Sequence, residues 1–294
     1  MLDHDPALPR RSRGARWRLV LAVIALGLAA SACSGVSPQS ADQPTSSPSS
    51  QPPSSTTPAS PTPGAPAPAA SAKPLAGKIV GIDPGHNGGN FTDASYIGQQ
   101  IWNGRESESC DTTGTETDGG YTEAQYTVNV ARYLRADLRR DGATVVMTRT
   151  SNDGVGPCID RRSEIINAAH ANVAVDVHAD GGPASGRGFT ILEPMADGPN
   201  DGVIASSAAF GNDVRQAFLA RIPAMPESTY EGDQGIMLRD DLAGLNLTTV
   251  PKVLIECGNM RNSTDAQMLV SPAFQRLVAR TLAAAIVTFL RAGP

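Results

Sequence analysis

The sequence predicts a single α/β domain with a central, mostly parallel, twisted sheet that helices flank. Two observations lead to this fold class. Short apolar segments alternate with longer segments of helical periodicity across residues 74–294, which is the order of elements that builds a parallel sheet. Several of the apolar segments also end in a polar side chain followed closely by glycine, as expected where buried strands reach the edge of a sheet.

The predicted elements follow from these patterns in chain order. The first strand is Ile79–Ile82, because Pro84-Gly85 closes the apolar run and proline cannot continue a strand ladder. A helix opens at Thr122-Glu123 and stops at Gly142, where its apolar periodicity ends. The other predicted strands are 143–148, 173–177, 188–192 and 252–255, and the other predicted helices are 159–170, 203–220, 264–270 and 272–291. The stretches 87–120 and 222–250 show no period and are predicted to be long loops.

The first 33 residues have the pattern of an export signal. Arginines precede an apolar segment, Leu19–Ala30, which is shorter than the ~20 residues that span a bilayer. An ordinary cleaved signal and a lipoprotein signal both fit, and Cys33 directly after Ser31-Ala32 favours lipid attachment at Cys33. We therefore expect an exported protein of the cell envelope, held by lipid on the outer face of the plasma membrane.

Residues 34–73 are rich in proline, serine, threonine and alanine. Such a segment cannot bury enough apolar surface to offset the entropy lost on ordering, so it is predicted to be a disordered tether. The folded domain is then 74–294. We expect this domain to act as a monomer.

Charge and composition exclude nucleic-acid binding. The net charge is −5 without a basic stripe, and aromatic residues make up 4% of the chain, which leaves neither an electrostatic footprint nor a stacking platform for nucleic acid.

Three predicted strands each end near a side chain that can bind metal or carry a proton. His86, His178 and Glu256 stand at these positions. Taken singly, each histidine fits an ordinary loop or core-edge residue, and Glu123 fits a residue that favours the helix dipole. The hypothesis is that His86, Glu123, His178 and Glu256 converge on one zinc ion. The shared placement of the two histidines at strand ends favours it, whereas spacing alone favours the helix-dipole role for Glu123. The carboxylate of Glu256 lies close to buried surface, where a raised pKa suits a general base.

Four motifs resemble the zinc-dependent N-acetylmuramoyl-L-alanine amidases, which act on peptidoglycan. They are Asp83-Pro-Gly-His86, the helix-opening Glu123, the strand that ends in Val175-Asp-Val-His178-Ala, and Val250-Pro-Lys-Val-Leu-Ile-Glu256-Cys-Gly-Asn259-Met. The resemblance covers about 77–291. It implies that His86, Glu123 and His178 bind zinc and that Glu256 is the catalytic base. It also implies a peptidoglycan or muropeptide substrate, cut between the lactyl group of N-acetylmuramic acid and L-alanine.

The sequence departs from that family at Asp180, where asparagine is common. Asp83 has two possible roles: it orients a ligand histidine, or it only fixes the Pro-Gly turn. Among the cysteines of an exported chain, Cys110 and Cys158 both lie in predicted loop and are expected to form a disulfide, while Cys257 follows a buried strand and is expected to be a free thiol.

Two other functions fit the same residues. One is a peptidoglycan-binding lipoprotein that has lost catalysis, although retention of all three ligand residues and Glu256 argues against it. The other is a zinc peptidase that cuts within the stem peptide. Only an amidase leaves a sugar without peptide, so the reaction products distinguish these functions.

Overall fold

The computed structural model describes residues 73–293, and every structural statement below concerns those residues. The lipidation residue Cys33 and nearly all of the predicted tether lie outside them. The described chain confirms the predicted α/β class with a six-stranded, mostly parallel sheet and a separate two-stranded hairpin. The strands in chain order are β1 Ile79–Pro84, β2 Gln100–Trp102, β3 Ser107–Ser109, β4 Thr144–Met147, β5 Val173–Asp180, β6 Thr190–Pro194, β7 Ile236–Arg239 and β8 Lys252–Asn259.

Seven α-helices are present in this part of the chain. They are α1 Ala94–Ile97, α2 Glu123–Arg140, α3 Ile159–Ala168, α4 Ile204–Arg221, α5 Ala243–Asn246, α6 Ser263–Leu269 and α7 Pro272–Ala292. Short 3-10 turns span Asn90–Thr92 and Asp201–Val203.

The order of strands across the main sheet is β4-β1-β5-β8-β6-β7. The first four strands run parallel to one another, whereas β6 pairs with β8 in the antiparallel sense and with β7 in the parallel sense. The carboxyl ends of β1, β5 and β8 therefore meet at one edge of the sheet, with His178 directly opposite Glu256 in the register.

Helices cover both faces of the sheet. Helices α2, α4 and α7 pack on one face over the main apolar core, which includes Tyr126, Phe210 and Ile286. The opposite face carries α3 and α5 over smaller apolar clusters, one of them around Ile166 and Ala174. Burial of two sheet faces explains why the strands read as continuous apolar runs.

Helix α7 is long and apolar enough to cross a membrane by length and composition, and it is the one described helix with that property. Its apolar residues instead pack in the main core against α2 and α4. It is therefore a core helix of this domain.

Both predicted loops contain regular structure, so the prediction was wrong there. The stretch 222–250 contains the edge strand β7 and the short helix α5, and 87–120 contains α1 and the β2–β3 hairpin. The physical reason is the length of these elements: three or four residues are too few to show a period.

Candidate active site

His86 follows β1 through a tight turn whose backbone is held from two sides. Its φ of 57° lies in the left-handed region that few non-glycine residues adopt. Buried Arg162 donates hydrogen bonds to the carbonyl oxygens of Pro84 and His86, at 2.8 and 2.9 Å. Buried Arg149 donates to the carbonyl oxygens of Pro84 and Gly85 at 2.9 and 2.8 Å. The two guanidinium groups thus stabilise the conformation that directs His86 to the sheet edge.

Glu123 is the first residue of α2, after the N-cap residue Thr122. Its carboxylate lies between two imidazoles: Oε2 is 3.1 Å from Nε2 of His86, and Oε1 is 2.9 Å from Nδ1 of His178. Oε2 also accepts from the backbone N–H of Thr115 at 3.0 Å, and Oε1 from that of Ala179 at 3.2 Å. The side chain of Glu123 therefore connects the turn after β1, the end of β5 and the segment around Thr115.

His178 reaches the same point from β5, and its packing requires a glycine at position 85. A Cβ on Gly85 would lie 2.1 Å from the His178 ring. The centroids of the His86 and His178 rings are 5.0 Å apart, edge to face. Only glycine allows the β1 turn to approach the imidazole this closely.

The pKa values of these groups reflect their mutual contact. Burial alone lowers the pKa of His86, but the carboxylates of Glu123 and Asp111 raise it to about 10. Burial alone raises the pKa of Glu123, and the charge and hydrogen bonds of the two histidines hold it well below its usual range. The group is therefore a tightly interacting cluster of one carboxylate and two imidazoles.

Glu256 lies on β8, opposite His178. Its Oε2 atom is buried and has no hydrogen-bond partner among the described residues. Burial raises the pKa of Glu256 well above its usual value, and the nearby carboxylates of Glu123 and Asp180 act in the same direction. A buried carboxyl oxygen without a partner is costly, so this atom is suited to a ligand or a reacting proton.

Asp111 is a site residue that the sequence analysis missed. Its Oδ1 is 3.3 Å from Nδ1 of His86, on the side of the ring away from Glu123, and its Oδ2 is 3.0 Å from Arg162. A carboxylate on the far nitrogen of a ligand histidine commonly fixes the orientation and tautomer of the ring. The neighbouring residue Cys110 forms a disulfide with Cys158, which fastens this segment to the start of α3. Among the described residues, Cys257 forms no disulfide and is buried.

Of the two roles that the sequence left open for Asp83, its contacts favour the one in which it fixes the Pro-Gly turn. Its carboxylate accepts from Thr148 and from Arg162. Lys252 lies 2.8 Å from Asp176 and 3.9 Å from Asp83. These residues form a buried charged layer beneath the site, and Asp83 fixes the turn by pairing with the arginine that holds its backbone.

Three other polar residues, Asn259, Arg261 and His170, lie away from the group of His86, Glu123 and His178. Asn259 is buried and donates to the carbonyl oxygens of Pro183 and Gly186. Arg261 pairs with Asp118 at 3.2 Å. His170 is exposed in the turn that follows α3.

A cavity of about 490 Å³ opens over the site. His86, Glu123, His178 and Glu256 all line it. Its other walls combine charged side chains, Glu108, Asp180 and Arg239, with an apolar patch of Leu242, Leu245 and Leu254.

The arrangement fits a zinc ion. One donor atom each from His86, Glu123 and His178 lie within 4.8 Å of one another. Two imidazoles and one carboxylate are a usual donor set for catalytic zinc, which keeps a further position open. Glu256, whose Oε2 is buried and has no partner among the described residues, lines the same cavity.

Comparison with known proteins places this geometry in a family. Residues 80–288 match the Amidase_3 family, described as N-acetylmuramoyl-L-alanine amidase. The N-acetylmuramoyl-L-alanine amidase Rv3717 of Mycobacterium tuberculosis is 39% identical over 223 residues, which cover 74% of this chain and 88% of that protein.

Solved structures of amidases are also similar to this chain. The amidase Ami1 of Mycobacterium abscessus in its apo form is 41% identical, with a TM-score of 0.69 over 74% of this chain and 100% of that chain. Ami1 of Mycobacterium smegmatis is 37% identical, with a TM-score of 0.70 over 74% of this chain and 99% of that chain. The chain belongs to the N-acetylmuramoyl-L-alanine amidase family.

Proposed function

We propose that this protein is a zinc-dependent peptidoglycan amidase that hydrolyses the bond between the lactyl group of N-acetylmuramic acid and L-alanine of the stem peptide. The observation that carries the proposal is the cluster of His86, Glu123 and His178 beside the unpaired carboxyl oxygen of Glu256. The family supports the choice of substrate.

In this proposal His86, Glu123 and His178 hold the zinc ion. When bound, zinc supplies Lewis acidity, which makes water more acidic and polarises a carbonyl oxygen. Asp111 fixes the ring of His86 through its Nδ1, so the other nitrogen, Nε2, faces Glu123 and the site.

Glu256 acts as general base and then as general acid. Its carboxylate accepts a proton from the attacking water, and the carboxylic acid then returns the proton to the departing amine of L-alanine. The water oxygen forms a new bond to the carbonyl carbon of the lactyl group, and the amide bond between that carbon and the nitrogen of L-alanine breaks. The low exposure of Oε2 keeps bulk water from competing for that proton.

The test is the variant Glu256→Gln, which keeps the shape of the side chain and removes the base. We expect zinc content to stay at one ion per chain while turnover of muropeptide falls by ~100-fold or more. Metal analysis and mass spectrometry of the products measure both quantities. The wild-type protein should release free stem peptide and a sugar without peptide.

Two further variants serve as controls. His86→Ala should lose zinc as well as activity, because it removes a ligand. Glu164→Gln makes the same chemical change on the exposed surface of α3 and should leave both unchanged. Full activity in Glu256→Gln would refute the proposal. Cleavage within the stem peptide would identify a peptidase, and zinc binding without hydrolysis by the wild type would identify a silent binding protein.

We further propose that the enzyme acts at the cell envelope as a monomer held to the membrane by a lipid on Cys33. The signal pattern and the Cys33 position in the sequence support the anchor. All four proposed site residues belong to one chain, so the reaction requires no second copy. The rates of hydrolysis on intact sacculi and on soluble muropeptides distinguish two roles. A higher rate on sacculi would indicate wall remodelling, and a higher rate on muropeptides would indicate fragment recycling.

A further inference from the structure

A second cavity, of about 550 Å³, lies beside the site and has no part in the mechanism above. Its lining includes Asn87, Phe91, Thr113, Thr122 and Arg261. None of the three proposed zinc ligands lines it.

The two cavities share the segment Gly114–Thr115 in their linings. Gly114 has a φ of 71°, and a Cβ there would lie 2.7 Å from both Oε2 of Glu123 and the His86 ring. The segment therefore passes directly beside the proposed zinc ligands. His86 lines the first cavity and its neighbour Asn87 lines the second, so a substrate cut at the ligands can extend into both.

The two cavities differ in chemistry. The first has several carboxylates, the guanidinium groups of Arg162 and Arg239, and leucines, which suit the charged and apolar groups of a peptide. The second has the hydroxyl groups of three threonines, the amide of Asn87 and the ring of Phe91, together with two charged side chains, Glu116 and Arg261. Hydroxyl and amide groups match sugar hydroxyls and N-acetyl groups, and an aromatic ring packs against the C–H face of a pyranose.

Phe91 is held in place although its side chain is 75% exposed. The preceding residue, Asn90, is fully buried, donates to the carbonyl oxygen of Thr112 at 2.7 Å and accepts from the N–H of Gly156 at 2.8 Å. A rigid turn therefore presents an exposed aromatic ring at the cavity.

Asn87 supplies a second indication of a polar ligand. The residue is 5% exposed, and its Nδ2 donates to the carbonyl oxygen of Gly156 at 2.8 Å. That bond fixes the orientation of the amide, because a carbonyl oxygen can only accept. The Oδ1 atom is buried and left without a partner among the described residues, in a residue that lines this cavity.

We propose that the second cavity binds the glycan half of the substrate, with Phe91 as the stacking surface for a sugar ring, while the first cavity binds the stem peptide. The proposal rests on the proposed amidase function for the choice of substrate. It assigns Phe91 as a specificity-determining residue.

The first experiment measures binding without catalysis. The full-length protein is titrated calorimetrically with the peptide-free disaccharide of N-acetylglucosamine and N-acetylmuramic acid. The variant Phe91→Ala removes an aromatic anchor and should raise Kd by about tenfold or more. The variant Phe91→Trp keeps an aromatic ring, so its Kd should stay close to that of the wild type. The matched control is Trp102→Ala, which removes an aromatic ring that is 59% exposed and lines neither cavity. An unchanged Kd in Phe91→Ala, or an equal loss in Trp102→Ala, would overturn the proposal.

The second experiment compares two substrates, the disaccharide-peptide and a lactyl-peptide that lacks the sugar. Phe91→Ala should lower kcat/KM by about tenfold on the first and leave it unchanged on the second, because only the first occupies the proposed subsite. Equal effects on both substrates would refute the subsite while leaving the amidase function intact. If the wild type cut neither substrate, the amidase function would fail, and the calorimetric result would still decide whether this cavity binds glycan.

Discussion

Arg162 is one of the two arginines that hold the β1 turn. It is buried, and its guanidinium group contacts the carboxylates of Asp83 and Asp111 as well as the backbone of Pro84 and His86. The two carboxylates neutralise a charge that would otherwise be very costly to bury. One side chain thus links the charged layer beneath the site to the proposed zinc ligand.

The variant Asp83→Asn tests this buried pair. Burial raises the pKa of Asp83, but Arg162, Lys252 and Thr148 outweigh that effect and lower it from 3.8 to about 2. Loss of the charge leaves Arg162 with one carboxylate fewer, and breaking a buried pair costs about 3–5 kcal/mol. We expect a fall of this size in the free energy of unfolding at pH 7, measured by urea denaturation.

The same carboxylate makes stability depend on pH. Because the pKa is lower in the folded state, the contribution of Asp83 is fully present above pH 3.8 and is lost as pH falls towards 2. Over that range the wild type should lose roughly 2 kcal/mol more than Asp83→Asn does. Asp137→Asn, in a surface pair with Arg140, should change stability by less than ~1 kcal/mol. If the free energy of unfolding fell equally with pH in the wild type and in Asp83→Asn, this account would be contradicted.

How much of the site can be read from the sequence depends on where each residue stands in the chain. His86, His178 and Glu256 follow or end apolar strands, so the sheet edge could be predicted to gather them. Glu123 looked like an ordinary helix-opening residue, and only the family resemblance singled it out. No sequence pattern pointed to Asp111, because it lies in an irregular segment. The path of that segment is set by contacts with residues far away in the sequence, such as His86 and Arg162.

At the scale of elements, the irregular segment 110–115 contributes as much to the site as the strands do. It carries Asp111 to one side of His86, and Gly114 passes beside the other proposed ligand, Glu123. The disulfide between Cys110 and Cys158 and the hydrogen bond from the N–H of Ile159 to the carbonyl oxygen of Cys110 fasten its beginning to α3. The position of the proposed ligands is therefore coupled to a covalent link outside the sheet.

Removal of the disulfide should weaken both the fold and the zinc site. We expect the double variant with Ser at positions 110 and 158 to lose ~2–4 kcal/mol of stability, measured by urea denaturation. Its zinc affinity, measured by competition with a chelator, should fall by roughly 10-fold or more, because Asp111 is less well held. Each single variant should lose about as much as the double, since the two residues act as one link. Zinc affinity equal to that of the wild type in a folded double variant would show that the segment keeps its position without the bond.

Short elements limited what the sequence could predict at this scale. The edge strand β7 has four residues, none of them fully buried, so it shows neither an apolar run nor alternation over a useful length. The strands β1, β5 and β8 are buried through most of their length and could be recognised. Burial on both faces of the sheet thus made the site-bearing strands the most predictable part of the fold.

For the whole molecule, the residues of the proposed site and the proposed anchor are far apart along the sequence. Every residue of the proposed site lies within the described range 73–293, whereas Cys33 and the segment 34–72 precede it. The domain should therefore hydrolyse soluble substrate equally well with or without a lipid. Its access to the wall should depend on how the chain is held at the membrane.

The variant Cys33→Ser tests this separation. The sequence places Cys33 after small residues at the end of an export signal, so its replacement should abolish lipid attachment, measured by incorporation of labelled fatty acid. Because stable anchoring requires about two acyl chains, the protein should move from the membrane fraction to the soluble fraction. Its kcat/KM on a soluble muropeptide should be unchanged. Ser31→Ala keeps a small side chain before the cysteine and should remain in the membrane fraction. If Cys33→Ser stayed with the membrane, another part of the chain would have to hold the protein there.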